Sequence, residues 1–125
     1  MHISIIGVGA MGGAMLEGFL RSDSFSASDI SISNPHTDRL APYAEQGVQV
    51  YADNRKAAAW GDVVFLVVKP CLVESVMEEI SDVLDAERQV LVIVAAGLKA
   101  EQVRSWVEYN GKCPATFFAL PNTAI

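Results

Sequence analysis

The sequence has little basic charge, and this shortage limits the partners that the protein can have. Only 9 lysines and arginines stand against 15 acidic residues, which gives a formal net charge of −6 and a pI of about 4.7. Nucleic acid is not an expected partner, because no basic stripe is present to replace the counterions of a polyanion. A single small anion needs only a local positive potential, so the acidic balance does not exclude such a ligand.

Cysteine, histidine and long apolar runs are also scarce. Cys71 and Cys113 lie 42 positions apart without a C-x-x-C motif, and the histidines are only His2 and His36. This pattern predicts no metal site and two ordinary thiols, as is typical of a reducing compartment. The apolar run at residues 90–98 is far shorter than the ~20 residues of a membrane-spanning helix. The predicted first strand begins almost at the N-terminus, which leaves no room for a leader peptide. We expect a soluble, cytoplasmic protein with no membrane partner.

The composition predicts one globular domain that spans residues 1–125. Hydrophobic residues make up 51% of the chain and charged residues 19%, enough apolar material for a buried core. Apolar patterns with the periods of strands and helices alternate along it. Strands are expected at residues 3–6, 29–33, 48–51, 63–68, 90–95 and 115–120, and helices at 11–21, 37–46, 53–60, 72–84 and 100–109.

This alternation predicts an α/β fold with a doubly wound parallel sheet of the Rossmann type. Strands separated by helices pair in parallel through right-handed crossovers, and six of them favour the order 3-2-1-4-5-6. The continuous apolar runs at 63–68 and 90–95 are typical of central strands covered on both faces. Residues 29–33 alternate polar and apolar side chains, which favours a strand near the margin of the sheet. Pro42 should bend or delay the helix at 37–46.

A glycine motif, Gly7-x-Gly9-x-x-Gly12, connects the first strand to the first helix. Gly7 lets the chain turn sharply, Gly9 lets a pyrophosphate approach the backbone, and Gly12 lets the helix pack against the strand. The start of the helix contributes free N–H groups and a partial positive charge. Such turns also occur without a ligand, but the strand before and the helix after favour a bound dinucleotide. It would lie at the carboxyl ends of strands one and four, where the strand order reverses.

The end of the second strand bears on the choice between NADP and NAD. NAD-binding chains usually place an acidic residue there, but this chain has Asn34, 22 residues after Gly12. His36, Thr37 and Arg39 follow within reach of a 2′-phosphate, so NADP is favoured and NAD is the alternative. Asp38 opposes this by adding negative charge nearby. Asn34 and Thr37 would equally serve as caps of the turn and the helix.

Three further segments accompany the glycine motif at residues 6–12. They are Val67-Val68-Lys69-Pro70, Ala95-Ala96-Gly97 and Leu120-Pro121-Asn122-Thr123. In register from residue 3 to residue 124, the chain resembles the pyrroline-5-carboxylate reductase family. The glycine motif is common to many dehydrogenases, whereas the later segments together are more specific. The resemblance implies an oxidoreductase that reduces the small-molecule imino acid 1-pyrroline-5-carboxylate to L-proline with NADPH or NADH, the last step of proline biosynthesis.

The resemblance also implies positions for the cofactor site. Together with the residues reasoned above, the expected cofactor-binding set is Ile6, Gly7, Val8, Gly9, Ala10, Met11, Gly12, Asn34, His36, Thr37, Arg39, Asn54, Val67, Val68, Lys69, Pro70, Val94, Ala95 and Ala96. The family often has arginine where this chain has Pro35, so Arg39 or His36 would have to take that role. Lys69 is either an acid or carboxylate anchor, or a solvated side chain, and Asn122 either lines the substrate site or caps a turn. The sequence identifies no proton donor.

The family's chains are about twice as long as this one. Their second half is a helical domain that builds the dimer and holds most of the substrate-binding residues. We therefore expect this chain to be the cofactor-binding half, inactive alone, of a protein that forms a homo-oligomer through the missing domain. Two alternatives remain: another NADP-linked reductase of the superfamily, acting on a deazaflavin or a hydroxy acid, and a non-catalytic dinucleotide sensor.

Overall fold

The computed structural model describes residues 1–35, 37–95 and 97–119. Strands and helices alternate along the chain as the sequence predicts. The strands are β1 (Ile3–Ile6), β2 (Ile30–Ser33), β3 (Gln49–Tyr51), β4 (Val63–Leu66), β5 (Val90–Val94) and β6 (Ala115–Ala119). The helices are α1 (Ala10–Arg21), α2 (Ala41–Glu45), α3 (Asn54–Trp60), α4 (Pro70–Ile80) and α5 (Ala100–Val107), with 3-10 turns at Ala27–Asp29 and Thr37–Leu40.

The six strands form one parallel sheet in the order β3-β2-β1-β4-β5-β6, which confirms the predicted topology. In the centre, Ile3 of β1 is in register with Ile30 of β2 on one side and Val63 of β4 on the other. The chain leaves β1 and β4 toward opposite edges of the sheet. This reversal opens a crevice at their carboxyl ends, the usual place for a ligand in this architecture.

Helices cover both faces of the sheet, and each face has its own apolar core. Leu16 of α1 packs with Ile5 and Ile32 on one face, and all three are fully buried. On the other face, side chains of α3, α4 and α5, among them Met77 and Val103, pack with Leu91 of β5. Within the described residues, no helix has the length and apolar character that crossing a membrane requires.

Strand β2 is one position in from the edge of the sheet, and its polar side chains are buried. All four of its residues, Ile30–Ser33, are buried despite the alternation of serine and isoleucine. The hydroxyl groups of Ser31 and Ser4 share a hydrogen bond of 2.8 Å, and Ser4 donates to the Ala57 carbonyl at 2.6 Å. Serine is tolerated inside this strand because its hydroxyl finds buried partners.

The region after β2 differs from the single helix expected at residues 37–46. A 3-10 turn comes first, and α2 then begins at Ala41 with Pro42 in its first turn. Proline is tolerated there because N–H groups of the first turn have no acceptor within the helix, so its missing N–H costs no hydrogen bond. Pro42 therefore delays the helix, as expected. The helix is followed by Gly47, whose φ of +106° suits a residue without a Cβ.

Strands β4 and β5 end earlier than their apolar runs suggest. After β4 ends at Leu66, Val67 still donates to the Ile6 carbonyl at 2.8 Å before the chain turns into α4. The fourth helix ends at Ile80, so Val83 and Leu84 lie outside it, although both pack against the core. Boundary shifts of this kind leave the order of the elements unchanged.

Candidate cofactor site

A cavity of about 680 Å³ lies at the carboxyl ends of β1, β2 and β4. This volume falls in the usual range for small-ligand sites, about 300–1,000 Å³. Its lining residues come from the glycine loop, the ends of β1 and β2, the start of α3, and the β4–α4 connection. They are Ile6, Gly7, Val8, Gly9, Ser33, Asn34, Pro35, Arg39, Asn54, Val67, Val68, Lys69, Leu72 and Val76.

Two glycines of the motif are required by the tight fold of the loop. Gly7 has a φ of +96°, and a Cβ there would lie 2.3 Å from the Val67 carbonyl oxygen. A Cβ on Gly12 would lie 2.0 Å from the Gly7 carbonyl oxygen. The added Cβ would thus clash with the loop itself, whereas it would lie at an ordinary contact distance of 3.7 Å from the Ile5 side chain in β1. These contacts bring the loop close to both the helix and β4.

Gly9 has a different environment, because a Cβ at this position would meet no atom within 4 Å. Gly9 is the N-cap of α1, and its backbone is extended. The first turn of α1 contains no acidic residue, and no side chain of the described residues caps it. The first N–H groups of a helix lack partners within the helix and favour an anion. The open space beside Gly9 therefore fits an anionic group that contacts the backbone closely.

Backbone and side-chain hydrogen bonds tie the loops around the cavity together. The Gly7 N–H donates to the Ser33 carbonyl at 3.0 Å, which joins the glycine loop to the end of β2. The Asn34 amide nitrogen donates to the Val8 carbonyl at 3.4 Å. The Ser33 hydroxyl donates to the side-chain oxygen of Asn54 at the start of α3. The glycine loop, the end of β2 and the start of α3 are therefore fixed relative to one another.

The charged side chains that line the cavity are Arg39 and Lys69, and both are exposed. No carboxylate is among the lining residues, and in the described part of the chain neither cation forms a salt bridge. The protein as a whole is acidic, so these cations give the cavity a local positive potential that the net charge does not reveal.

Arg55, next to Asn54, ties the start of α3 to the last turn of α4 and to the segment that follows it. The Arg55 guanidinium donates to the Asp82 carboxylate at 3.0 Å and to the Glu79 carbonyl at 2.8 Å. The hydrogen bond from Arg55 lowers the pKa of the Asp82 carboxyl below its ordinary value. Asp53 caps α3 by accepting from the Arg55 backbone N–H at 2.9 Å. Asn54 is thus carried by a helix whose first turn is anchored on two sides.

The structure brings ten of the expected site residues to the cavity wall. They are Ile6, Gly7, Val8, Gly9, Asn34, Arg39, Asn54, Val67, Val68 and Lys69.

The other expected residues are not among the lining residues or lie outside the described ranges. Ala10, Met11 and Gly12 form the first turn of α1, Thr37 opens a 3-10 turn, Pro70 begins α4, and Val94 and Ala95 are buried at the end of β5. His36, Ala96 and Asn122 lie outside the described residues.

Sequence reasoning did not place Ser33, Leu72 or Val76 at this cavity. Leu72 and Val76 are one helical turn apart in α4, and their apolar spacing indicates the core rather than a ligand. Ser33 is the last residue of β2. Its position at a carboxyl end of a parallel strand is the one signal that could have identified it.

A parallel sheet in this order, with a glycine loop at its point of reversal, defines a Rossmann-type domain. Residues 2–97 match the family described as NADP oxidoreductase, coenzyme F420-dependent. The chain belongs to this family.

Comparison with individual proteins confirms the resemblance to pyrroline-5-carboxylate reductases. The chain is 32% identical over 123 residues to the Pseudomonas aeruginosa pyrroline-5-carboxylate reductase, covering 98% of this chain and 43% of the relative. It is 33% identical over 98 residues to zebrafish (Danio rerio) pyrroline-5-carboxylate reductase 3, covering 78% of this chain and 34% of the relative. The structure of a pyrroline-5-carboxylate reductase from Coxiella burnetii superposes with a TM-score of 0.85 at 31% identity, covering 98% of this chain and 44% of that one. The chain thus spans less than half the length of these relatives.

Proposed function

We propose that the cavity at the carboxyl ends of β1, β2 and β4 binds NADP(H). The observation that carries the proposal is the open space beside Gly9, at the uncapped start of α1. A diphosphate there would accept hydrogen bonds from the first N–H groups of the helix. The adenosine side would lie by Asn34 and Arg39, and the nicotinamide side by Val67 and Lys69, which line the same cavity.

The preference for NADP over NAD is proposed to come from Arg39. The cavity wall has no carboxylate to repel a 2′-phosphate, and Arg39 stands four residues beyond Pro35, which replaces the family's usual arginine. Arg39→Ala should weaken NADPH binding about tenfold, because one charge-assisted hydrogen bond to the 2′-phosphate is lost. It should leave NADH binding unchanged. Arg104→Ala, an exposed arginine in α5, is the matched control and should change neither. Equal losses for both cofactors in the Arg39 variant would refute this assignment.

We further propose that the chain is the cofactor-binding half of a longer pyrroline-5-carboxylate reductase. The bound cofactor would supply hydride to the imine carbon of 1-pyrroline-5-carboxylate. The residues of this chain would hold and orient it, since placement of the reacting groups lowers the barrier. Lys69 lines the cavity at the end of β4.

A comparison of the longer protein with this chain tests the catalytic proposal. The longer protein should oxidise NADPH when given pyrroline-5-carboxylate, and this 125-residue chain should bind NADPH with little turnover. NADPH oxidation by an oxidised deazaflavin, or NADP+ reduction by a hydroxy acid, would instead assign a different reductase of the superfamily. Cofactor binding by the longer protein without turnover of any of these substrates would favour a dinucleotide sensor.

A further domain in the longer protein is supported by the exposed end of the sheet. Phe117 and Phe118 in the edge strand β6 are 59% and 41% exposed, and successive strand residues face opposite sides. We propose that the additional part of the longer protein covers this edge and builds a homo-oligomer. The longer protein should then be oligomeric in analytical ultracentrifugation, and a monomer would contradict the proposal.

The free thiols of Cys71 and Cys113 support a cytoplasmic location.

A further inference from the structure

Ser33 and Asn54 share a partly buried hydrogen bond on the side of the cavity where the adenosine is proposed to lie. The Ser33 side chain is fully buried, and its hydroxyl donates to the side-chain oxygen of Asn54, 21 residues further along the chain. Both residues line the cavity. The bond therefore joins the last residue of β2 to the first residue of α3 at the wall of the cofactor site.

The direction of this hydrogen bond determines what Asn54 offers to a ligand. An asparagine amide has an oxygen that accepts and a nitrogen that donates two hydrogens. Because the oxygen already accepts from Ser33, the nitrogen is the part of the Asn54 amide whose hydrogens remain unused. Within the described residues this nitrogen has no hydrogen-bond partner, and no enclosed unpartnered side-chain nitrogen or oxygen is found there. The amide nitrogen is thus accessible as a donor.

We propose that Ser33 is a positioning residue that presents the Asn54 amide nitrogen as a donor to the adenosine ribose or its 2′-phosphate. This inference rests on the proposed binding of NADP(H). In the structure the Ser33 hydroxyl donates to the amide oxygen and holds the amide in the orientation that leaves its nitrogen for the cavity. Without it, Asn54 could turn its oxygen toward the ligand, where an acceptor would face the acceptor oxygens of a phosphate.

Strand β2 supplies its own control. Ser31, two residues before Ser33, is also fully buried and also forms a side-chain hydrogen bond, in this case with Ser4 at 2.8 Å. Ser31 does not line the cavity. Ser31→Ala and Ser33→Ala each remove a buried hydroxyl from the same strand, so a general effect on the sheet should appear in both variants.

A double-mutant cycle on NADPH binding tests the proposal. Ser33→Ala should raise the Kd of NADPH about five- to tenfold, whereas Ser31→Ala should change it less than about twofold. On the Asn54→Ala background, Ser33→Ala should cause no further loss, because Ser33 acts only through the Asn54 amide. Equal losses from Ser33→Ala on both backgrounds, or no loss on the wild-type background, would overturn the proposal.

Three further measurements complete the design. Ser33→Thr keeps the hydroxyl and should bind NADPH within about twofold of wild type. Asn54→Asp keeps the shape but removes the donor, so it should bind NADPH no better than Asn54→Ala, and binding at wild-type strength would overturn the proposal. If Ser33→Ala does not fold, Ser33→Cys retains a side chain of similar size with a weaker donor and replaces it in the cycle. A wild-type chain that binds no NADPH would refute the proposed function itself, whereas additive losses in a chain that binds would refute only the role of Ser33.

Discussion

Replacement of Gly9 by valine should abolish tight cofactor binding and leave the fold intact. A Cβ at Gly9 would meet no atom within 4 Å, and the backbone there is extended, so the free protein accepts a branched residue at this position without backbone strain or a clash at the Cβ. The space beside Gly9 is the one assigned to the diphosphate. Loss of two backbone hydrogen bonds to a charged group, each worth about 1.5 kcal/mol, gives about 3 kcal/mol or a 100-fold weaker Kd.

Two neighbouring glycines provide controls with opposite expectations. Gly13 also has open space around a built Cβ, and it lies inside α1. Gly13→Ala should therefore raise the free energy of unfolding by about 0.5–1 kcal/mol through helix propensity and leave cofactor binding unchanged. Gly12→Ala places a Cβ 2.0 Å from the Gly7 carbonyl oxygen and should lower the free energy of unfolding by about 1–3 kcal/mol or more.

The assay combines urea unfolding with NADPH titration followed by fluorescence. The expected pattern is lost binding with retained stability for Gly9→Val, retained binding with increased stability for Gly13→Ala, and lost stability for Gly12→Ala. Unchanged NADPH affinity in a folded Gly9→Val protein would refute the assignment of the glycine loop to the diphosphate.

The remaining predictions concern stability. The pKa of the Asp82 carboxyl is lowered in the folded protein, so its ionised form stabilises the fold at pH values above its ordinary pKa of about 3.9. This contribution is lost as the pH falls through the folded pKa. Asp82→Asn should therefore make the unfolding free energy fall less between neutral and acid pH. Urea unfolding at pH 3 and pH 7 measures the difference, and equal pH dependence in wild type and variant would contradict it. Leu16→Ala, at a fully buried position, should cost about 2–5 kcal/mol in the same assay, and a cost below 1 kcal/mol would contradict its place in the core. Gly61→Ala places a Cβ 2.4 Å from the Ser4 hydroxyl and should cost about 1–3 kcal/mol, whereas unchanged stability would contradict this packing.

The order of the strands could be predicted from the sequence because it follows from local patterns. Each apolar run is separated from the next by a helical pattern, and parallel pairing with right-handed crossovers leaves few arrangements. The glycine motif then fixes which end of the sheet faces the ligand. The ends of the strands could not be predicted in the same way. Val67 and Val68 continue the apolar run of β4, but the chain leaves the sheet there to line the cavity.

The polar contacts of the site depend on residues that are distant in the sequence. Ser31 and Ser33 look like solvent-facing residues of an alternating strand, yet both are buried. Their partners, Ser4 and Asn54, are 27 and 21 residues away and come into reach only when β1 and α3 pack beside β2. The local sequence pattern predicts the alternation of side chains along a strand, whereas the burial of those side chains depends on which elements cover the strand.

Calorimetric titration of NADPH into the wild-type chain tests the central claim most directly. The account predicts saturable binding of one NADPH per chain, with heat released and a change in NADPH fluorescence. The absence of both heat and a fluorescence change, in a protein whose circular dichroism shows the intact α/β fold, would contradict it.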